Sequence, residues 1–476
     1  MKKNQLFIIV GFLIVILAAG IYAAFQFGQS KETAGPKLTG ILQDEIQLKP
    51  FSTKFPLQYE SYLSSQEMSN TEFAGSEPKS KFSDELEPLL PILFSGGAFS
   101  TQYKEDRGHF YALQDLAESM RVTEKTPGAC LACKSTAVPP LVEELGETFW
   151  TGGLMKDVFP AGEEMHQASV GCSTCHKPNT MELTVTRPSF IEKMNEIGLD
   201  IDKASHNDMR NYVCAQCHSE YYFRGDTGEV THPWNKGFKA VDGFIYYSSR
   251  ALKNGFEKDY VSTVSGAPML KAQHPDFETY SKSAHAAKGV TCADCHMPQM
   301  TKKGKKFSSH QMTSPLYDTK AACGKCHKDT DKMEAQVSTI QKEFKTELLD
   351  VEAQLAKGHY YVNRMITVGC DPGEIKEAQT QLRFGQWFMD FNAAENSTGF
   401  HNPEGAKDNF RIAKNAVKEL MSIAEPALIA KKVDLKVLDS QIEQTIGNVK
   451  KEPIQEKKKL LVTNEWFPSQ APAPAK

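Results

Sequence analysis

Ten of the chain's 11 cysteines fall into five Cys-x-x-Cys pairs, and this repeat constrains the fold more than any other feature. The pairs are Cys130/Cys133, Cys172/Cys175, Cys214/Cys217, Cys292/Cys295 and Cys323/Cys326. In four of them the next residue is histidine: His176, His218, His296 and His327. Cys-x-x-Cys-His is the attachment signature of c-type haem. Two thiols on one turn of helix form thioethers to the porphyrin vinyl groups, and the adjacent imidazole binds iron as a neutral ligand. Zinc sites also use paired cysteines, but they do not require histidine after each second one. A disulfide framework does not favour five repeats of one local spacing. A thioredoxin-like redox pair would occur once, near a βαβ pattern that is missing here. Cys370 stands apart, in the turn-like context Val-Gly-Cys-Asp-Pro-Gly, and reads as a buried, inert thiol.

The first pair differs, because Cys133 is followed by Lys134. Either that motif is degenerate and binds no haem, or lysine replaces histidine as the iron ligand. An amine coordinates only when deprotonated, so its ordinary pKa of ~10.4 must be lowered by burial or by the metal. Such an arrangement makes sense where the axial ligand tunes an iron that binds substrate.

The expected fold is mainly α, with an irregular haem-packed core and long C-terminal helices. Lys2 and Lys3 precede an almost unbroken apolar run over residues 6–25. That is the form of a secretory signal, though its length approaches the about 20 residues that span a bilayer. Residues 1–26 are therefore a cleaved signal or a retained anchor, and either places the folded chain outside the cytoplasm. Residues 27–85, polar and carrying Pro36, Pro50, Pro56 and Pro78, read as an extended lead segment. Residues 86–330 hold all five motifs on short helices, which Pro178 and Pro298 should help to end.

From 331 to 450 the texture becomes helical. Met333, Val337, Ile340, Phe344, Leu348, Val351 and Leu355 recur at spacings of three and four, as one apolar helix face requires. Further helices are expected over 374–394 and 406–429, separated by Asn396-Ser397-Thr398-Gly399. Such helices either cover a core or pair with a second subunit. Residues 451–476 form a basic, Pro/Ala-rich tail. The net charge of -4 and the lack of a long basic stripe exclude a nucleic-acid partner. The lysine stretches 302–306 and 450–459 read as solvated faces.

Of 13 histidines, four follow the motifs, which leaves His109, His166, His206, His232, His274, His285, His310, His359 and His401. Low-spin electron-transfer haems need a second axial ligand each, and spacing alone does not choose four of these nine. The wider sequence does carry a resemblance. One Cys-x-x-Cys-Lys followed by four Cys-x-x-Cys-His, with Arg-Gly-His at 107–109, Cys-Ala-Gln-Cys-His-Ser-Glu-Tyr-Tyr-Phe at 214–223 and Leu-Lys-Ala-Gln-His-Pro at 270–275, closely resembles the ammonia-forming pentahaem cytochrome c nitrite reductases.

The resemblance implies five covalent haem c groups. It pairs His109 with the haem of His218, His285 with that of His327, His310 with that of His176, and His401 with that of His296. It places Arg121, Tyr221 and His274 around the Lys134 haem. It also implies a calcium ion held by Glu220, Gln273 and the backbone carbonyls of Tyr221 and Lys271, oxygen donors suited to a hard cation. The activity implied is six-electron reduction of nitrite to ammonium. Arg121 and His274 would hydrogen-bond the substrate oxygens, and Tyr221 would supply a proton or hold an intermediate. The implied partners are a membrane tetrahaem quinol dehydrogenase as electron donor and a second copy of the chain. A pure electron-transfer cytochrome, and a reductase acting on another oxyanion or on hydroxylamine, are the rival functions. A single high-spin haem would exclude the first, and substrate competition the second.

Overall fold

The structure is a computed structural model, and its described residues run from 47 to 451 apart from 74, 84–85, 124, 154–162 and 250–253. The N-terminal signal or anchor and the tail from 452 onward lie outside the described residues. Among the described residues no helix is long and apolar enough to cross a membrane.

The chain is mainly α. Four long helices close it: α1 (Thr330–Thr367), α2 (Pro372–Ala393), α3 (Pro403–Ala430) and α4 (Leu435–Lys451). Their starts follow from local chemistry. The Asp329 carboxylate accepts from Lys332 N, that of Asp371 from Gly373 N, and the Asn402 side chain from Gly405 N. Proline opens α2 and α3, where its missing N–H costs nothing. Each such cap stabilises its helix by about 1 kcal/mol. On α1, Val337, Phe344, Leu348, Val351 and Leu355 are buried and Met333 and Ile340 half-buried, as their spacing predicts. This stripe packs within the chain, against α2, α3 and the segment Leu89–Phe94. The apolar face is thus used up internally, and its periodicity is no argument for a second subunit. The helix α4 has no counterpart in the expected set.

Two glycines set how these helices meet. A Cβ at Gly385 of α2 would lie 3.1 Å from the Ala416 Cβ of α3, so the two backbones approach closely there. Gly399, in the break before α3, has φ +83, and a Cβ would lie 2.5 Å from the Phe344 ring.

The region before α1 is irregular, with short helices and three two-stranded antiparallel hairpins: β1/β2 (Tyr222–Phe223 and Val230–Thr231), β3/β4 (Tyr260–Val261 and Pro268–Met269) and β5/β6 (Gln299–Lys302 and Lys305–Ser308). The motifs begin on or at the ends of helices Gly128–Leu131, Cys172–Cys175, His206–Ala215, Cys292–His296 and Thr319–Cys323. The lead segment departs from the extended form expected of it. Prolines 50 and 56 sit at helix starts rather than keeping the chain open, and Phe51–Lys54, Pro56–Leu63 and Ser64–Gln66 are helical. This segment packs under the second motif, where the Tyr62 hydroxyl donates to Val170 O at 2.8 Å. A separate small cluster, including Leu113, Leu131, Val138, Leu141, Phe149 and Trp150, surrounds the first motif. Cys370 is buried, with its thiol donating to Ala427 O, in keeping with an inert role.

Candidate haem-ligand pairs and anion pocket

Four histidine rings face the four motif histidines, each at the same distance. Ring centroids are 6.3 Å apart in His109/His218, His176/His310, His285/His327 and His296/His401. Direct contact would bring the rings closer. Two metal–nitrogen bonds of about 2.0 Å, plus the reach from each ring centre to its nitrogen, span such a gap. The residues therefore fit an iron between each pair. Second partners fix the tautomers. Nδ1 of His176 donates to Met181 O (2.8 Å), that of His296 to Thr313 O (3.0 Å) and that of His310 to Ser308 O (2.9 Å), which leaves each Nε2 lone pair free for a metal. His218 Nδ1 meets the Asp276 carboxylate at 3.0 Å, and His401 Nδ1 meets Glu395 at 2.5 Å.

The other five histidines have different surroundings. His359 is enclosed by Ser265 and Gln386, while His232 stacks on Trp234 and His166 on Phe110. His206 opens the helix His206–Ala215, and His274 lies in the pocket described next.

Motif thiols also meet across the sequence. Cys133 lies within hydrogen-bonding reach of Cys217, and Cys214 of Cys292. The first, third and fourth motifs therefore form a contiguous series. The fifth motif lies shallower than the others. Cys326 is exposed, whereas its partner Cys323 and the other eight motif cysteines are half-buried. The physical reason is local. The short helix Thr319–Cys323 ends just before Cys326, and the link from Gly324 to Asp329 that leads into α1 runs along the surface, with every residue exposed. Cys326 remains placed for attachment, because His327 beside it still faces His285 at 6.3 Å. A haem held there would have one edge at the surface.

Around the first motif, the Lys134 ammonium donates to the Asp106 carboxylate at 3.1 Å. Asp106 keeps Lys134 charged, raising its pKa against the effect of burial. This is opposite to the lowering that ligation requires. Burial would raise Asp106, but Lys134, His274 and Arg121 outweigh it and hold the carboxyl below its ordinary range. Three of the expected pocket residues thus act on one carboxylate that sequence reasoning missed. Arg121 stacks its guanidinium 4.3 Å over Phe99. Tyr221 packs in the apolar cluster around the motif, and burial pushes its phenol well above the ordinary range. His274 lies 4.6 Å from the His218 ring, within 3.6 Å of Asp276 and 3.1 Å of the Asn396 amide. Burial lowers its pKa to about 4 despite Asp276, so the ring is neutral. Asp276 thus contacts both a motif histidine and a pocket histidine. Its position just after His274-Pro275 was the only signal for it in the sequence.

Beside this pocket Glu220 is buried, its oxygens accepting from the Tyr247 hydroxyl (2.9 Å) and from Gln273 N (2.5 Å). Gln273 Nε2 donates to Lys271 O at 3.1 Å, so the expected calcium donors Glu220, Gln273 and Lys271 O are assembled together. Burial, then the neighbouring Glu278 and Asp259 carboxylates, push Glu220 well up. Glu278, buried and bonded to Trp234, is itself pushed up to about 8. A cluster of buried acids with amide and carbonyl oxygens is a donor set for a hard cation.

Comparison with known proteins places these features. The profile of the cytochrome c552 family matches residues 47–470. The cytochrome c nitrite reductase subunit NrfA of Nitratidesulfovibrio vulgaris is 34% identical, over 96% of this chain and 94% of the relative. Cytochrome c-552 of Porphyromonas gingivalis is 33% identical, over 86% and 82% of the two chains. Among solved structures, the catalytic subunit of the Desulfovibrio desulfuricans cytochrome c nitrite reductase, described for its two calcium sites, superposes with a TM-score of 0.77. It is 32% identical, with 84% of this chain and 91% of that one covered.

Proposed function

The chain belongs to the cytochrome c552 family and is a nitrite-reducing oxidoreductase, and from that premise we propose that it carries nitrite all the way to ammonium at the Lys134 motif. Haem and calcium are its cofactors. The observation that carries the reading is the pairing of histidines. All four histidine motifs face a second imidazole at 6.3 Å. Lys134 instead meets Asp106, with His274, held by Asp276 and Asn396, beside it.

On this reading the chain carries five haems c. The cysteine pairs would attach them, and Lys134, His176/His310, His218/His109, His296/His401 and His327/His285 would hold the irons. Haem held by these residues would supply the electrons for the reduction and, beside Lys134, the site where nitrite is reduced. The reaction consumes six electrons and eight protons per nitrite, giving ammonium and two waters. Arg121 holds a fixed positive charge toward the anion, draws it in and stabilises oxygen as N–O bonds break. Neutral His274 donates a ring N–H, with Asp276 and Asn396 setting its orientation. Tyr221 keeps its phenolic proton because burial disfavours the phenolate, so it acts as a donor. Calcium at Glu220, Gln273 and the carbonyls of Tyr221 and Lys271 braces the two segments that carry Tyr221 and His274.

The chain works outside the cytoplasm and draws electrons from a membrane tetrahaem quinol dehydrogenase. It pairs as a homodimer through surfaces of the C-terminal helices that the internal packing leaves free. The test is Lys134→His, with five haem additions first confirmed by mass. Ammonium formation from nitrite with a chemical reductant should fall by at least tenfold, because imidazole is a different donor to iron. Wild-type turnover in the fully loaded variant would remove lysine from the mechanism.

A further inference from the structure

The lysine stretch 302–306 forms the tip of the β5/β6 ribbon. Lys303 (φ 50) and Gly304 (φ 75) are both left-handed, as the two central residues of a type I′ hairpin turn must be. The register then sets Lys302 opposite Lys305, and Thr301 opposite Lys306. Like charges directly opposite one another on a ribbon are destabilising. Only Lys302 has an answering acid, Glu60 at 2.5 Å. Lys303, Lys305 and Lys306 are exposed and have no carboxylate partner among the described residues.

The base of the ribbon is firmly held. Gln299 Nε2 donates to the Ser308 hydroxyl at 2.6 Å, and Ser309 N to Pro298 O at 2.9 Å. Strand β5 packs on the helix Thr319–Cys323, and β6 on Pro56–Leu63. His296 lies just before β5 and His310 just after β6, so the ribbon joins a histidine of one facing pair to a histidine of another. Exposed Lys320 and Lys328 add to the same charge on and after the helix under β5, while Lys325 pairs with Asp294 at 3.6 Å. Lysines do guard open strand edges against pairing. Edge guarding, however, needs a charge of either sign, and it does not call for opposed lysines at the tip.

We propose that this lysine ribbon docks the acidic face of the protein that delivers electrons, beside the His176/His310 and His296/His401 pairs that its strands join. The inference rests on the reading that these histidines hold haem. Each docked donor gives up one electron from its own reduced centre and leaves oxidised, and no atom or proton crosses the interface. Opposite charge at such a surface raises encounter rates by about 10 to 10³-fold, and salt screens the gain. The unpaired ammonium groups stand on a ribbon whose two ends run into residues of facing histidine pairs, which is why a protein electron donor fits them better than a lipid surface.

The experiment combines Lys303→Glu, Lys305→Glu and Lys306→Glu in the holoenzyme, with the matching glutamine variant beside it. Reduced ferredoxin, an acidic iron–sulfur protein, is the probe, and stopped-flow absorbance follows haem reduction without nitrite. At low salt the glutamate variant should lose at least about tenfold in the second-order rate constant, and the glutamine variant less. The difference should shrink as salt rises, while nitrite turnover driven by reduced methyl viologen stays unchanged. An unaltered ferredoxin rate overturns the proposal, since glutamates guard an edge as well as lysines do. Equal loss with the small dye overturns it too, by showing damage to the haem site. So does wild-type sedimentation with phosphatidylglycerol vesicles that needs the lysines while the ferredoxin rate does not. Wild-type protein that ferredoxin reduces but that does not turn over nitrite would refute the nitrite reading and leave the docking result standing.

Discussion

Asp390 should be costly to neutralise. Its side chain is 1% exposed and that of Lys271 2%, with Nζ and Oδ1 2.8 Å apart. The ammonium also donates to Ala272 O at 2.5 Å and faces the rings of Phe94, Phe99 and Tyr103 at 5.0 to 5.3 Å. The second carboxylate oxygen accepts from Ala272 N at 2.6 Å. Helix α2 is thereby stapled to residues 271–272, immediately before Gln273 and His274. Burial pushes the Asp390 carboxyl up, and the Lys271 ammonium and these hydrogen bonds pull it back toward ionisation. Asp390→Asn keeps the shape and an oxygen for the Ala272 N–H but leaves Lys271 without a counter-charge. Breaking a buried pair costs about 3–5 kcal/mol. The ring faces are present before and after, so they offset none of the difference. The retained amide bond, worth about 1 kcal/mol, puts the expectation near 3 kcal/mol. Replacing both partners, Lys271→Met with Asp390→Leu, should recover most of that loss. Guanidinium unfolding of the holoprotein at constant m reads the energies, and nitrite turnover should fall in the single variant through the His274 segment. A single variant within about 0.5 kcal/mol of wild type, or a double variant worse than either single, would refute the reasoning.

Three other outcomes follow from buried groups. His359 donates from Nε2 to Gln386 (2.8 Å) and accepts at Nδ1 from Ser265 (2.9 Å), and burial lowers its pKa from 6.5 to about 4. Between those values the unfolded chain binds a proton that the folded one does not. Stability should therefore drain by about 3 kcal/mol as pH falls through that window, and His359→Gln should flatten the slope in acid unfolding. Both Glu352 oxygens are buried without partners among the described residues, and burial raises the carboxyl well above its ordinary range. The unfolded chain releases this proton above about pH 4.3 while the fold retains it, so stability falls as pH rises. Glu352→Met should raise urea stability at pH 8 by about 1–3 kcal/mol, with a smaller gain at pH 5. Chelation of calcium should lower nitrite turnover and alter the spectrum of the Lys134 haem while sparing the histidine-paired haems. Unchanged activity and spectrum after verified metal removal would count against the Glu220 site.

The long helices were legible because their signals are local. The α1 stripe repeats at helical spacing, and Asp371-Pro372 and Asn402-Pro403 each give a cap followed by a proline. What periodicity does not say is where an apolar face goes. It suits a subunit interface and an internal core equally, and only three-dimensional packing shows α1 buried against α2 and α3. The lead segment misled for a related reason. Proline reads as a breaker inside an element but as a start at its first turn, and sequence alone did not separate the two uses at Pro50 and Pro56.

The site divides along the same line between local and distant signals. Cys-x-x-Cys-His is contiguous, so attachment is legible from the chain alone. Depth is not: the same motif is half-buried at Cys295 and exposed at Cys326, where the chain after the short helix runs along the surface. The facing histidines are as far away in sequence as His310 is from His176, and spacing left nine candidates for four places. Asp106 and Asp276 carry no motif at all. Each matters through a neighbour: Asp106 through Lys134 at 3.1 Å, Asp276 through His218 at 3.0 Å and His274 at 3.6 Å. A carboxylate beside a lysine holds the amine protonated, whereas a haem ligand must be unprotonated. Were Lys134 to bind iron, Asp106 would work against ligation until the proton leaves, and its own carboxyl, held below the ordinary range, is a poor acceptor for that proton. On the lysine-ligation reading, the Lys134 motif carries its acid on the amine itself, whereas the acid beside the third motif bonds His218 at Nδ1 and leaves Nε2 for a metal, a difference that becomes visible only once the chain is folded.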